Sequence, residues 1–131
     1  MKRSILFLVF LIFAVAISVS FVSVDANAQV QKPILRAPVS GDDTKEVLIS
    51  SVELPPGFTV PRHTHPGDDY TVVLQGTLEL NVEGREPKRV SPREAFYVPT
   101  GLVHYTQVLG DAPVHIIAIW LIEKGKPAIG Y

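Results

Sequence analysis

The amino-acid sequence predicts an all-β domain that is folded as a sandwich or a barrel. Short apolar runs rich in β-branched residues recur between residues 46 and 122, and turns that contain Gly or Pro separate them. The segment TLELNV, residues 77–82, alternates cleanly between apolar and polar side chains, which is the period of a half-buried strand. No convincing helical pattern follows residue 28, and a length of 131 residues suits one domain.

Seven strands are predicted from composition, alternation and flanking turns. They span residues 46–54, 69–75, 77–82, 88–90, 94–98, 103–109 and 114–122. The preceding residues 29–43 contain Pro33 and Pro38 and show little periodicity, so we expect an extended arm or an edge strand there. Such an arm can pair with the barrel of a second copy, which predicts a homodimer.

The first 28 residues have the pattern of a secretory signal peptide. Lys2 and Arg3 precede an almost wholly apolar run, and Ala26-Asn27-Ala28 matches an A-x-A cleavage site. Cleavage after Ala28 removes 28 of the 131 residues, leaves 103 and predicts a secreted or periplasmic protein. The predicted parts are a signal peptide at 1–28, an arm at 29–45 and a β-barrel domain at 46–131. The alternative is an uncleaved membrane anchor, because the apolar run just reaches the length that spans a bilayer.

The composition after Ala28 excludes several classes of function. Ten basic and 12 acidic residues remain without a basic stripe, so nucleic acid is not an expected partner. No basic amphipathic helix is apparent, so we expect no membrane association after cleavage. The chain has no cysteine, which rules out disulfides, thiolate metal ligands and a cysteine nucleophile. The fold must therefore rely on its core, and 103 residues are enough to build one.

Two of the four histidines lie in the stretch HTHPGDD, residues 63–69. On an extended strand, His63 and His65 point to the same side, so their imidazoles can share one cation. Asp69 can return to the same point after the intervening Pro-Gly turn, and His104 supplies a third imidazole from a distant part of the chain. Three nitrogens and one carboxylate predict a mononuclear metal site. The alternative is that these histidines are ordinary core or surface residues.

The same stretches resemble the two sequence motifs of the cupin superfamily. GFTVPRHTHPGDDYTVVLQG, residues 57–76, is similar to the first motif, in which a glycine, H-x-H, a spaced acid and a second glycine follow one another. PTGLVH, residues 99–104, is similar to the core of the second motif. The resemblance covers about residues 47–121. It implies a small single-domain cupin of the type-2 kind, with a double-stranded β-helix (jelly-roll) barrel that is commonly dimeric and holds a metal.

The resemblance also implies a set of metal ligands. His63, His65 and His104 match the imidazole ligands of the family, and Asp69 stands where the family usually has glutamate. Aspartate is one methylene shorter, so we expect it to bind the metal less closely or through a water molecule. Asp68 is the less suitable carboxylate, because strand alternation turns it to the opposite side.

Two further departures from the family pattern lie near the second motif. Arg93 replaces the opening glycine of this motif, which is expected only to alter a turn. Val108 stands in place of an asparagine, which removes a polar side chain but no metal ligand. Neither departure removes the predicted site.

No nucleophile or phosphate-binding loop is apparent, so any reaction must rest on the metal, for which iron, manganese and zinc are expected. The first hypothesis is a metal-dependent enzyme, most simply an oxygenase, that acts on a small organic molecule. Its expected polar contacts to a substrate are Tyr97, Tyr105 and Gln107, and its expected apolar walls are Phe58, Phe96 and Trp120. The second hypothesis is a non-catalytic module in which a metal or a small ligand stabilises the barrel. A third is a structural dimer that has kept its histidines without metal.

Overall fold

A computed structural model describes residues 28–130, so the predicted signal peptide, apart from Ala28, lies outside the described residues. The strands are β1 (Val30–Val39), β2 (Asp42–Leu54), β3 (Gly67–Gln75), β4 (Thr77–Val82), β5 (Lys88–Val90), β6 (Ala95–Val98), β7 (His104–Leu109) and β8 (Val114–Glu123). The described part of the chain contains no helix, and the predicted all-β class is confirmed. Between residues 28 and 130, no helix is long and apolar enough to cross a membrane.

The strands form two antiparallel sheets. The five-stranded sheet has the order β1-β2-β8-β3-β6, and the three-stranded sheet has the order β5-β4-β7. β8 lies at the centre of the larger sheet and pairs with β2 on one side and with β3 on the other. The chain passes repeatedly between the sheets, for example from β3 to β4 and from β6 to β7. This architecture is the expected jelly-roll barrel.

The apolar core lies inside the barrel because alternate strand residues turn inward. In β8, every second side chain is buried, namely Val114, Ile116, Ala118, Trp120 and Ile122. In β4, the buried set is Leu78, Leu80 and Val82, the face that alternation predicted. Each Val, Leu or Ile side chain in these sets contributes roughly 1.5–3 kcal/mol when it is fully buried, so this core holds the strands on which the candidate site is built.

All seven predicted strands are present, and those predicted at 77–82 and 88–90 have the predicted bounds. The region expected to form an arm is mostly strand, because β1 pairs antiparallel with β2 of the same chain and β2 begins at Asp42. β1 lies at the edge of the larger sheet, where the missing N–H groups of Pro33 and Pro38 are tolerated. Most of this region is therefore an edge strand of the larger sheet.

The turn expected between His65 and Asp69 is only a bend at Pro66, and Gly67 is already the first residue of β3. Gly67 lies against the backbone of β8, since a Cβ on this residue would be 1.9 Å from the Leu121 carbonyl oxygen. Only glycine permits this approach, because any side chain would collide with backbone atoms. The pairing of β3 with β8 therefore starts two residues before Asp69. This pairing fixes the position of Asp69.

Candidate metal centre

The backbone fixes two of the predicted imidazole ligands opposite each other. His63 and His104 form an isolated antiparallel bridge, in which each amide N–H donates to the carbonyl oxygen of the other at 3.0 Å. Their ring centroids lie 4.3 Å apart. Thr64 is less buried than its neighbours, and His65 returns to the inner side, as strand alternation predicts.

The three imidazole rings converge inside the barrel. One ring nitrogen from each of His63, His65 and His104 lies within 4.8 Å of the others, and all three residues are buried. In the same order, their Nδ1 atoms lie 2.7 Å from the carbonyl oxygen of Pro61, 2.5 Å from that of Ala128 and 3.0 Å from that of Leu102. A carbonyl oxygen only accepts hydrogen bonds, so Nδ1 carries a proton in each ring, and a neutral ring has its lone pair on Nε2.

The Asp69 carboxylate lies beside these rings. The residue is 4% exposed, and its Oδ2 is 3.4 Å from Nε2 of His65 and 3.9 Å from Nε2 of His104. Thr71, on the same face of β3, donates from Oγ1 to Asp69 Oδ1 at 2.7 Å, which leaves Oδ2 toward the rings. Asp68 is on the opposite face of β3 and accepts hydrogen bonds from the loop before β7. Alternation therefore distinguished the two acids correctly.

Burial favours the neutral form of two of the imidazoles, those of His63 and His104. Desolvation lowers the pKa of His63 from 6.5 to about 4, and it also lowers the pKa of His104. The physical reason is that the protein interior solvates an imidazolium cation poorly. Both side chains are therefore unprotonated at neutral pH, which is the state in which imidazole binds a metal.

This set of donors fits a divalent transition metal ion. Neutral imidazole nitrogens suit zinc and iron, and a carboxylate adds the negative charge that also suits manganese. A backbone carbonyl that accepts from the second ring nitrogen is the usual partner of a metal-ligating histidine. The residues that would hold such an ion are His63, His65, His104 and Asp69. The rest of its coordination sphere would be left to water or to a ligand.

A cavity of about 50 Å³ is lined by the three histidines and Asp69. Its other lining residues are mostly apolar and comprise Val52, Leu54, Val60, Phe96, Ile116, Ala118, Trp120 and Ile129, together with Gln29, Gln31, Thr71 and Thr106. Phe96 and Trp120 are thus cavity walls as expected, whereas Phe58 only packs against the core. A water molecule needs about 10–15 Å³ of such space, so the cavity holds roughly three to five waters or a very small ligand.

The three residues expected to contact a substrate do not line this cavity. Tyr97 lies between buried Phe96 and Val98, so it faces outward, is 45% exposed and stacks on Tyr70 at a centroid distance of 5.1 Å. Tyr105 and Gln107 alternate with the inward-facing residues of β7, which are His104, Thr106 and Val108. The physical reason is the two-residue period of a strand, which turns residues 105 and 107 away from the side to which His104 points.

Several cavity residues were not identified from the sequence. Thr106 has a clear signal, because it lies two residues after His104 on the same strand face. Gln31 comes from the edge strand β1, and Ile129 comes from the segment after β8. Neither of these two positions has a periodic signal that points to the cavity. Only the tertiary fold brings them there.

Comparison with known proteins agrees with the family expected from the motifs. The family model Cupin_2, described as cupin domain, matches residues 50–120, more than half of the chain. Germin-like protein subfamily 2 member 1 of Arabidopsis thaliana is 34% identical over 85 residues, which cover 61% of this chain and 39% of that protein. Dimethylsulfoniopropionate lyase DddQ of Ruegeria pomeroyi is 32% identical over 69 residues, which cover 53% of this chain and 34% of that protein. The chain thus spans less than half the length of these two relatives.

Solved structures have the same fold. The crystal structure of DddQ superposes with a TM-score of 0.63 at 24% identity and covers 76% of this chain and 49% of that one. A cupin-like protein from Thermotoga maritima superposes with a TM-score of 0.65 at 18% identity and covers 79% of this chain and 75% of that one. At these identities the likeness concerns the fold alone. The family match over residues 50–120, together with the two motifs and the barrel that carries them, shows that the chain belongs to the cupin domain family.

Proposed function

We propose that this cupin holds one divalent transition metal ion, namely iron, manganese or zinc, inside its barrel. The ligands are His63, His65 and His104, with Asp69 as the carboxylate. The observation that carries the proposal is the convergence of three buried imidazoles, each with its Nδ1–H held by a backbone carbonyl. Fixing these rings costs side-chain conformational entropy. The fixed orientation would favour metal binding, because the ligands are already in place when the ion arrives.

Titration with Zn²⁺ tests this ligand set. His104→Ala should weaken Zn²⁺ binding by more than the ~10- to 100-fold that is typical for loss of an outer-sphere partner. His115→Ala is the matched control, because the fourth histidine lies on the other face of β8 and pairs with Glu53 at 2.8 Å. Equal affinities for the two variants would contradict the assignment of His104 as a ligand.

The activity that we propose is a metal-dependent reaction of a small organic molecule, most simply an oxygenation. When bound, the metal supplies Lewis acidity, water activation or dioxygen binding. Apolar walls such as Phe96 and Ile116 limit water near the reacting atoms. The related lyase DddQ is named for dimethylsulfoniopropionate, which is also a small molecule. Because only 34% of that protein is matched, this relation supports a small substrate but not a particular one.

The alternative is a non-catalytic module in which the metal or a small ligand stabilises the barrel. The small cavity, about 50 Å³, favours this alternative, because drug-sized ligands need pockets several times larger. Two measurements on the metal-loaded protein separate the hypotheses. Dioxygen consumption with a panel of small carboxylic acids, abolished in His63→Ala, would support the enzyme. A metal-dependent rise in the melting temperature without any turnover of the panel would support the binding module.

We also propose that the chain is exported to the periplasm or the extracellular space. The support is the charged start, the apolar run and the A-x-A site that ends at Ala28. N-terminal sequencing of the protein from its own cells should give Gln29 as the first residue. An intact Met1 on the exported protein would contradict cleavage and favour the membrane anchor.

The homodimer that we propose uses the outer face of the five-stranded sheet. By outer face we mean the apolar side chains that point away from the barrel interior: Leu35, Val47, Ile49, Tyr70, Val72, Leu74, Tyr97, Ile117, Ile119 and Leu121. One register row crosses all five strands as Leu35, Ile49, Ile119, Tyr70 and Tyr97. Four members of the face are strongly exposed, Leu35 at 48%, Tyr70 at 44%, Leu74 at 53% and Tyr97 at 45%.

The size and the border of this outer face suit a second copy of the chain. Strands about 4.8 Å apart and same-face residues about 6.8 Å apart give a patch of roughly 500 Å² for five strands and three rows. Two copies would together bury about 1,000 Å², the area that a specific interface should reach. Charged pairs border the patch at both ends, Lys45 with Glu123 and Glu53 with His115. An apolar centre with a polar rim is typical of protein interfaces.

A further inference from the structure

The Nδ1–H of each ligand histidine donates to a backbone carbonyl, and these carbonyls differ in their separation from the histidine along the sequence. The carbonyls that accept from His63 and His104 belong to Pro61 and Leu102, each two residues earlier in the chain. The carbonyl that accepts from His65 belongs to Ala128, 63 residues later. The orientation of His65 therefore depends on a segment that must first dock beside it.

That segment comprises residues 126–130, after β8. Thr64 and Gly130 form an antiparallel bridge, in which each amide N–H donates to the carbonyl oxygen of the other at 2.9 Å. The approach is close, since a Cβ on Gly130 would lie 3.1 Å from Thr64 Oγ1. Ala128 packs against the core, and Ile129 lines the cavity next to the histidines. The segment therefore contacts both the H-x-H stretch and the space beside the candidate ion.

The 126–130 segment contributes little to the barrel itself. Lys126 and Pro127 are exposed, residues 128–130 are only partly buried, and none of them belongs to the buried apolar core. The core strands pair with one another without its help, for example β2 with β8 and β3 with β8. A segment with few buried contacts at the end of a stable barrel can open locally at low cost in free energy.

We propose that the 126–130 segment completes the metal site by positioning His65 and closing the cavity. This inference rests on the proposed metal-binding function. When the segment is docked, the Ala128 carbonyl holds the Nδ1–H of His65, and Ile129 covers one side of the cavity. When it is released, His65 loses its acceptor and the cavity opens to solvent. The coupling is reciprocal. If docking of the segment tightens metal binding by a given factor, a bound ion must shift the docking equilibrium toward the docked state by the same factor.

Truncation tests the positioning role. A chain that ends at Pro127 should bind Zn²⁺ about 10- to 100-fold more weakly than the full chain, as expected when a ligand histidine loses its outer-sphere partner. Ala128→Gly keeps the backbone carbonyl and should change the affinity by less than about 3-fold. Ile129→Ala keeps the backbone bonds and separates closure of the cavity from orientation of His65. An unchanged affinity for the truncated chain would overturn the proposal.

A double-mutant cycle distinguishes positioning from a general structural role. If the segment acts through His65, the truncation should cost less than about 2-fold in Zn²⁺ affinity once His65→Ala is present, because non-additivity reports direct coupling. A truncation penalty of the same size in both backgrounds would show that the segment does not act through His65. It would overturn the proposal even if the wild-type chain binds zinc tightly.

Hydrogen exchange on the full chain avoids any folding problem of the truncated variant. Saturating Zn²⁺ should slow exchange of the Gly130 amide by about 10- to 100-fold, by the reciprocity of the coupling. The Arg85 amide, bonded to the Val82 carbonyl in a turn of the smaller sheet, serves as the reference and should not change. Zinc binding without slower exchange at Gly130 would overturn this inference alone. A full chain that binds no Zn²⁺ would instead overturn the proposed function on which it rests.

Discussion

Asp69 is the candidate ligand at which this chain departs from the family pattern. Its Oδ2 is 3.4 Å from Nε2 of His65 and 3.9 Å from Nε2 of His104, while Thr71 holds the other oxygen. The carboxylate is thus oriented toward the rings, although it is one methylene shorter than glutamate. Its side-chain length is therefore expected to set how strongly the site holds an ion.

Substitution of Asp69 should change metal affinity in both directions. Asp69→Asn removes the negative charge and should weaken Zn²⁺ binding by about 10-fold or more, whereas Asp69→Glu extends the carboxylate and should tighten it. Calorimetric titration gives both dissociation constants. Asp68→Asn is the control, because this neighbouring acid lies on the opposite face of β3 and should leave the affinity unchanged. A weaker site in Asp68→Asn than in Asp69→Asn would reverse our assignment.

His63 makes the metal-free protein sensitive to acid. Its pKa is about 4 in the folded state because of burial, against 6.5 for an ordinary imidazole. Between these two values the unfolded chain binds more protons than the folded one. The free energy of unfolding therefore falls as the pH decreases from about 6.5 toward about 4, and this contribution is constant outside that window.

This linkage can be measured by urea unfolding of the metal-free protein between about pH 7 and pH 4. The unfolding free energy of the wild type should decrease across the window, and His63→Gln should decrease less, because glutamine does not titrate. His104, whose pKa is also lowered, accounts for part of the remaining slope. A variant that retains the full slope of the wild type would show that His63 does not contribute.

At the scale of the elements, the turn before β6 contains local backbone strain. Arg93 has a φ of 72°, and no other non-glycine residue between positions 28 and 130 has a positive φ. Its amide N–H donates to the Val73 carbonyl at 2.9 Å, which anchors the turn to β3. The chain thus keeps the left-handed conformation that suits the glycine of the family motif, although the residue is arginine.

Arg93→Gly should therefore stabilise the protein by about 1 kcal/mol, because glycine adopts this conformation without a steric penalty. Chemical denaturation of the two proteins measures the difference. Glu86→Gly is a control at an exposed position without a positive φ, and it should be neutral or destabilising. A loss of stability in Arg93→Gly would mean that the arginine side chain makes a larger contribution than the backbone strain costs.

The elements also show which features can be derived from the sequence. Strand alternation and turn residues gave the seven strands after residue 45, and the spacing in HTHPGDD placed His63, His65 and Asp69 on the inner side. The same alternation, applied to β7 from His104, would have turned Tyr105 outward and selected Thr106. By contrast, docking of the 126–130 segment on His65 joins residues 63 positions apart, and such long-range contacts leave no periodic signal in the sequence.

At the scale of the whole molecule, the outer face of the five-stranded sheet should govern assembly. Light scattering should give the mass of a dimer for the chain that starts at Gln29. Tyr70→Glu places a charge in the central row of this face and should give the mass of a monomer, since an unpaired charge is costly in an interface. Gln107→Glu, on the outer side of the smaller sheet, should remain dimeric. A monomeric wild type would contradict the proposed dimer.

The metal content of the purified protein shows most directly whether the barrel binds one metal ion. The protein would be purified from its own cells without added metal, beside His63→Ala and the control His115→Ala, and analysed by mass spectrometry. We predict near one equivalent of iron, manganese or zinc in the wild type and in His115→Ala, and a loss of that metal in His63→Ala. No metal in any of the three proteins, or equal metal in all of them, would contradict the proposed metal site.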